Sequence, residues 1–286
     1  MLERIARPLG GLWRGIAGLM NGIYGALGGP GKLLADLLHG VWLGHPLHPL
    51  ITDVVVGAGT AAVLLLVLTW FGIDGLYVPM AWTLLLAVLA ALGAIISGLT
   101  DFKDTFGDEL NVAGMHGVLN IIGTAGLVIA FFAAWAEAAT LLAVSLIAGY
   151  LILSVGAFIG GHVVFKFGAG VNHNAFDTGK RAKEFTRVAG VADVPENTPT
   201  RAMLGTTALV VVRRGDVVYA LKDSCPHASA SLSKGHLEDG NIVCPLHGST
   251  FRLADGAVRH GPATARQVRY QARISDGGVE VQGPVD

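Results

Sequence analysis

The two cysteines of this 286-residue chain lie in one stretch, SCPHASASLSKGHLEDGNIVCPLHGSTF over 224–251, and each is followed within three residues by a histidine. Cys225-Pro-His227 and Cys244-Pro-Leu-His247 therefore offer two thiolates and two imidazoles, a donor set that binds transition metals. A structural disulfide is disfavoured, because the surrounding domain is expected to face a reducing compartment. A zinc site accepts both ligand types, but zinc fingers put both cysteines in one knuckle and both histidines on a helix. Here each loop supplies one cysteine and one histidine. That division suits a two-iron cluster with two thiolates on one iron and two imidazoles on the other.

A second group of histidines has no cysteine beside it. GHPLHPLITD over 44–53 contains His45 and His48, His116 and Asn120 stand four residues apart inside an apolar run, and His162 ends another. Ionisable groups within a membrane span usually face the bundle interior and mark function. Three readings fit these four positions. Histidines from different helices ligate haem b; or they bind a non-haem metal or a quinone head group; or they merely sit at the interface of a bundle that acts as an anchor.

The elements that must position both groups follow from composition. Hydrophobic residues make up 52% of the chain and charged residues 14%, with a mean hydropathy of +0.57, which points to a membrane protein. Neither 33–102 nor 104–165 contains a Lys or Arg. Within these stretches four apolar runs, about 51–72, 78–100, 112–135 and 138–162, are long enough to cross a bilayer as helices of roughly 20 residues. Short connections make them antiparallel neighbours, an up-down bundle of four transmembrane helices. Residues 1–44 read as an interfacial, amphipathic segment, 45–165 as the transmembrane domain and 166–185 as a linker.

Cations set the expected orientation. Arg4, Arg7, Arg14 and Lys32 precede the first run, Lys103 lies in the second connection, and Lys166, Lys180, Arg181, Lys183 and Arg187 follow the fourth. The positive-inside rule then puts both termini on the cytoplasmic side of a bacterial inner membrane. All four membrane histidines fall at that same end. The net charge of −1 says nothing about nucleic acid, and no basic cluster suggests it as a partner.

After about residue 185 the pattern changes period. ALVVVRR, DVVYALK, NIVCP, STFRL and RQVRYQARI are short strand-like runs broken by RRGD, EDGN, ADGA and SDGG. Val268, Tyr270, Ala272 and Ile274 alternate with polar neighbours, as in a half-buried strand. Residues 186–286 are therefore expected to form a small all-β domain.

The C-x-H…C-x-x-H motif in this setting resembles that of Rieske [2Fe–2S] domains, over roughly 186–283. The resemblance implies that Cys225 and Cys244 ligate the inner iron and His227 and His247 the outer, reducible one. It also puts Ser249 and Pro262, the latter in a covering GPA loop at 261–263, in the surroundings of the cluster. The high-potential members carry two further cysteines and a tyrosine hydroxyl near the cluster sulfurs; this chain has no further cysteine, and Phe251 stands at the tyrosine position. Fewer hydrogen bonds to sulfur imply a lower potential, as in ferredoxins that feed oxygenases. GHPLHPLITD, SGLTDF and HGVLN, over roughly 40–165, also resemble an uncharacterised family of bacterial four-helix membrane proteins.

Together these readings lead to membrane-bound electron transfer, an oxidoreductase component rather than a complete enzyme. A cytoplasmic cluster exchanges electrons with a soluble cytoplasmic redox partner, and relays them to a haem, metal or quinone site in the bundle. The alternative is a ferredoxin or redox sensor tethered to the lipid bilayer beside a separate oxygenase or reductase, with the bundle as anchor only.

Overall fold

The computed structural model describes residues 1–176 and 182–285; residues 177–181, with Lys180 and Arg181 of the predicted linker, and residue 286 lie outside the described residues. The chain divides into two compact units, Met1–Gly31 with Pro46–Phe167 and Lys32–His45 with Gly168–Asp286.

In the first unit a short helix α1 (Leu2–Ala6) and a long helix α2 (Gly10–His39) precede four helices, α3 (Leu47–Trp70), α4 (Tyr77–Phe102), α5 (Gly107–Trp135) and α6 (Ala139–His162). These four, the last continuing as a π-turn over Val163–Phe167, are long and apolar enough to cross a membrane. Helix α2 is broken at Gly28, whose φ of 58° and ψ of −127° are not helical, two residues before Pro30. Its last residues, from Lys32, belong to the second unit. Helix α5 begins at Gly107, earlier than its apolar run suggested, because Asp108 and Glu109 suit the positive end of the helix dipole. His116 consequently lies more than two turns inside the helix rather than one.

The bundle is built for lipid outside and close contact inside. Leu64, Leu86, Ile129 and Phe158 are exposed, whereas Ala62, Ala81, Ala87 and Ala130 are fully buried with Met80, Leu84, Leu127, Leu142 and Leu146. Lipid tails offer no hydrophobic drive between helices, so association rests on packing of small residues. The tightest approach is between α5 and α6. A Cβ added at Gly126 would lie 2.7 Å from the Gly149 Cα, and one at Gly123 would lie 2.9 Å from the Gly149 carbonyl oxygen. The amino-terminal residues are fastened to the same unit: Trp13 lies against Gly114, the Tyr24 and Thr100 hydroxyls are 2.7 Å apart, and Arg7 pairs with Asp108 at 2.9 Å.

Among the described residues of the second unit ten strands form two antiparallel sheets. They are β1 (Ala182–Gly190), β2 (Thr200–Leu204), β3 (Thr207–Arg214), β4 (Val217–Lys222), β5 (His236–Glu238), β6 (Asn241–Val243), β7 (Thr250–Arg252), β8 (Val258–His260), β9 (Arg269–Ser275) and β10 (Gly278–Val285). The larger sheet has the order β1-β10-β9-β4-β3-β2 and the smaller β5-β6-β7-β8. Asp239–Gly240 and Asp276–Gly277 both have positive φ at each residue, the backbone that a two-residue hairpin between right-twisted strands demands. Tyr270 is buried in the core of the larger sheet with Val268, Ala272 and Ile274 packed beside it, as their alternation predicts.

Gly126→Val should lower stability by about 1–3 kcal/mol through overpacking at the α5–α6 crossing. Gly117→Val, where an added Cβ meets nothing within 4 Å, should be close to neutral. Thermal unfolding of the detergent-solubilised chain compares the two.

Candidate functional site

The two Cys–His segments occupy the β4–β5 and β6–β7 connections, and they adopt the same turn. The Cys225 N–H donates to the Ala230 carbonyl at 2.8 Å, and the Ser229 N–H returns to the Cys225 carbonyl at 2.9 Å. In the second loop the Cys244 N–H donates to the Ser249 carbonyl at 2.8 Å, and the Gly248 N–H to the Cys244 carbonyl at 3.1 Å. The fifth residue of each turn is left-handed, Ser229 with φ 59° and Gly248 with φ 76°. One backbone device is thus used twice.

This device separates the donors by depth. Both thiols are buried, in an apolar cluster with Leu232, Ile242, Phe251 and Leu253. The Cys244 sulfur beside it, together with burial, pushes the Cys225 thiol far up, and the same contact holds Cys244 down. Thiols give up their protons to a cation on binding it, because the thiolate is the form that ligates metal. The imidazoles of His227 and His247 are only half-buried. Their Nδ1 atoms face each other at 3.2 Å, with ring centres 5.0 Å apart and planes at 80°. The donors therefore come as an inner sulfur pair and an outer nitrogen pair. Among the described residues no three His, Cys, Asp or Glu side chains converge on one point. Paired donors fit the division of a binuclear cluster, one iron to each pair.

The surroundings brace both loops. Asp223 is buried, and its carboxylate accepts from the Ser231 hydroxyl at 2.6 Å and the Ser233 N–H at 2.7 Å, closing the end of the first loop. Buried Ser249 accepts the Ala263 N–H at 3.0 Å, tying the second loop to Gly261–Ala263 and leaving its own hydroxyl proton to donate. Pro262 sits within that third loop.

Sequence reasoning missed several supports. Asp36, within the segment read as interfacial and amphipathic, accepts from the Gly261 N–H at 2.8 Å and contacts His260 Nδ1 at 2.7 Å. His173, read as linker, donates its N–H to the Pro226 carbonyl at 2.9 Å, and its Nδ1 lies 3.1 Å from the Ser229 hydroxyl. Asn174 donates to the Ser224 carbonyl at 2.8 Å and to Gln267 Oε1 at 2.9 Å. Gln267 in turn donates to the Lys222 and Ser224 carbonyls, both at 2.8 Å. No spacing distinguishes these residues from ordinary surface amides and carboxylates.

The four membrane histidines are distributed unevenly. The rings of His48 and His116 meet with centres 6.1 Å apart. His162 Nε2 instead lies 3.2 Å from the Glu3 carboxylate, which also pairs with Lys166. His45 is exposed and falls in the second unit.

Residues 184–273 match the family described as the Rieske [2Fe-2S] domain, and residues 44–173 match one described as a predicted membrane protein, DUF2231. Over 98 residues the chain is 36% identical to the anthranilate 1,2-dioxygenase ferredoxin subunit of Burkholderia cepacia, covering 34% of this chain and 91% of that protein. The chain belongs to the Rieske [2Fe–2S] family. It is also 35% identical over 96 residues to the 3-phenylpropionate/cinnamic acid dioxygenase ferredoxin subunit of Escherichia coli (strain K12), covering 33% of this chain and 89% of that one. Among solved structures, a complex of reduced oxygenase and oxidized ferredoxin in carbazole 1,9a-dioxygenase is similar at 32% identity, covering 36% of this chain and 97% of that one, with a TM-score of 0.34. This chain thus joins a Rieske ferredoxin-type electron-transfer domain to a four-helix membrane domain.

In the Rieske loops, Gly248→Ala should cost about 1–2 kcal/mol, since a side chain is strained at left-handed φ. Ser229→Gly, which relieves the same strain, should retain the fold. Thermal unfolding followed by loss of cluster absorbance checks both.

Proposed function

We propose that the chain is a membrane-tethered Rieske ferredoxin, a one-electron carrier between a soluble cytoplasmic reductase and an oxygenase-type acceptor. Cys225 and Cys244 would hold the inner iron, and His227 and His247 the outer one. The cluster, when bound, supplies reversible one-electron transfer. The observation that carries this reading is the doubled turn, which sets a buried thiol pair behind a half-buried imidazole pair. The names of the dioxygenase ferredoxin subunits support the class of partner.

Each supporting residue then has a task. The edges of His227 and His247 reach the surface, where a partner docks and the electron path is shortest. Ser249 is poised to donate its hydroxyl proton toward the cluster sulfurs, and Pro262 lies in the loop that covers them. Phe251, fully buried in the same cluster as both cysteines, keeps the inner side dry and offers no hydroxyl. The distribution of Lys and Arg supports a bacterial inner-membrane location with the Rieske domain and both termini cytoplasmic.

The full chain purified anaerobically should show the visible absorbance and electron paramagnetic resonance of a Rieske cluster, and Cys225→Ser should abolish both. Its midpoint should fall in the lower part of the roughly −150 to +300 mV Rieske range. Phe251→Tyr should raise it by supplying a hydrogen bond that favours the more negative reduced state. A wild-type midpoint well above about +200 mV contradicts this account of the cluster surroundings.

A further inference from the structure

His48 and His116 come from different helix hairpins, yet each is held in the same way. His48, on α3, has its Nδ1 2.9 Å from the Ala94 carbonyl oxygen on α4. His116, on α5, has its Nδ1 2.8 Å from the Gly156 carbonyl oxygen on α6. Four residues beyond each acceptor stands a glycine that the ring covers. A Cβ added at Gly98 would come 2.9 Å from the His48 ring, and one at Gly160 would come 2.6 Å from the His116 ring. The pairs α3–α4 and α5–α6 therefore repeat one arrangement: a histidine on the first helix, and a carbonyl and a glycine on the second that receive it.

The contacts also settle the tautomers. A carbonyl oxygen has no proton to give, so Nδ1 carries the proton in both rings and Nε2 keeps the lone pair. Asn120 Nδ2, 3.1 Å from His116 Nδ1, donates instead to the His116 carbonyl at 2.7 Å. An imidazole whose Nδ1–H is tied to a backbone carbonyl is the form that ligates metals through its other nitrogen. The two rings stand 6.1 Å apart, centre to centre, with planes at 83°. Two imidazoles bound on opposite sides of one ion, at metal–nitrogen distances of about 2.0–2.1 Å, place their ring centres roughly 6 Å apart.

We infer that His48 and His116 are a pair of axial imidazole ligands for one transition-metal ion held inside the bundle. The ion is either a bare cation completed by water or the iron of a porphyrin; bis-imidazole ligation is common to both. Of the four membrane histidines, only these two form the site. His162 has its Nε2 3.2 Å from the Glu3 carboxylate, and His45 lies outside the bundle's unit. This inference goes beyond the carrier function proposed above and stands without it.

The test uses the full chain, expressed with added iron and haem precursor, purified in detergent, and assayed for total metal and visible absorbance. A Soret band assigns the porphyrin. Metal beyond that of the cluster with no Soret band, after incubation with Cu²⁺, Zn²⁺ or Fe²⁺, assigns the bare ion. In either case His48→Gln and His116→Gln should each remove the extra metal, and His45→Gln and His162→Gln should keep it. Retained cluster absorbance and an unchanged gel-filtration profile in all four variants show that the chain still folds. Conversely, Cys225→Ser should lose the cluster and keep the bundle metal, so the two sites fail independently. Absence of extra metal in the wild-type chain under every condition, or its retention when both histidines are replaced, overturns the inference.

Discussion

Two thiols that must lie side by side in an apolar interior, with two imidazoles still at the surface, impose a demand that few backbones meet. A thiol pair buried without a cation is costly to ionise, so each cysteine has to arrive at a fixed depth on a rigid support. Here the support is a turn closed by two backbone hydrogen bonds and used twice. The smaller sheet follows from it: β5, β6 and β7 are three residues each, enough to hold the two turns at a common edge. The larger sheet supplies the core that four such short strands lack. Asp223, Ser249 and the third loop then lock the turns from three directions.

Much of this was legible in the sequence because it rests on local chemistry. The cysteine–histidine pairs and the Asp–Gly breaks between strands are short-range signals, and so is the alternation around Tyr270, whose residues pack as it suggested. The four apolar runs were equally plain, since lipid imposes length and composition on each span separately. What stayed hidden depends on distant pairing. Asp36 and Gly261 are brought together by the fold and by nothing in their neighbourhoods. His173 and Asn174 belong to a polar stretch whose role is visible only once Pro226 and Ser224 lie against it. The four membrane histidines looked like one group because topology put them at one end. Packing divides them, because a glycine waits opposite two of the four.

The bundle obeys a different physics from the domain that follows it. Large side chains such as Leu64 and Phe158 face outward, and small ones join Leu and Met inside, so close backbone approach adds to the packed core. Glycines at such crossings do two things at once. At Gly123, Gly126 and Gly149 they let α5 and α6 touch, and at Gly98 and Gly160 they open room for a ring. A polar side chain can then be kept inside without forcing the helices apart, with its proton committed to a carbonyl of the next helix.

Gln267 contributes the consequence that reaches furthest in the second unit. Its buried amide serves the end of β4, the entrance to the first Cys–His loop, the residue before β9 and Asn174 through one side chain. Buried networks of this kind hold fully or fail together, because each lost partner leaves another group unsatisfied. The first Cys–His loop and the segment around residue 174 are thus tied through one side chain, although fifty residues of chain separate them. Opening either segment leaves the Gln267 amide short of partners, so the two are expected to exchange their backbone protons together.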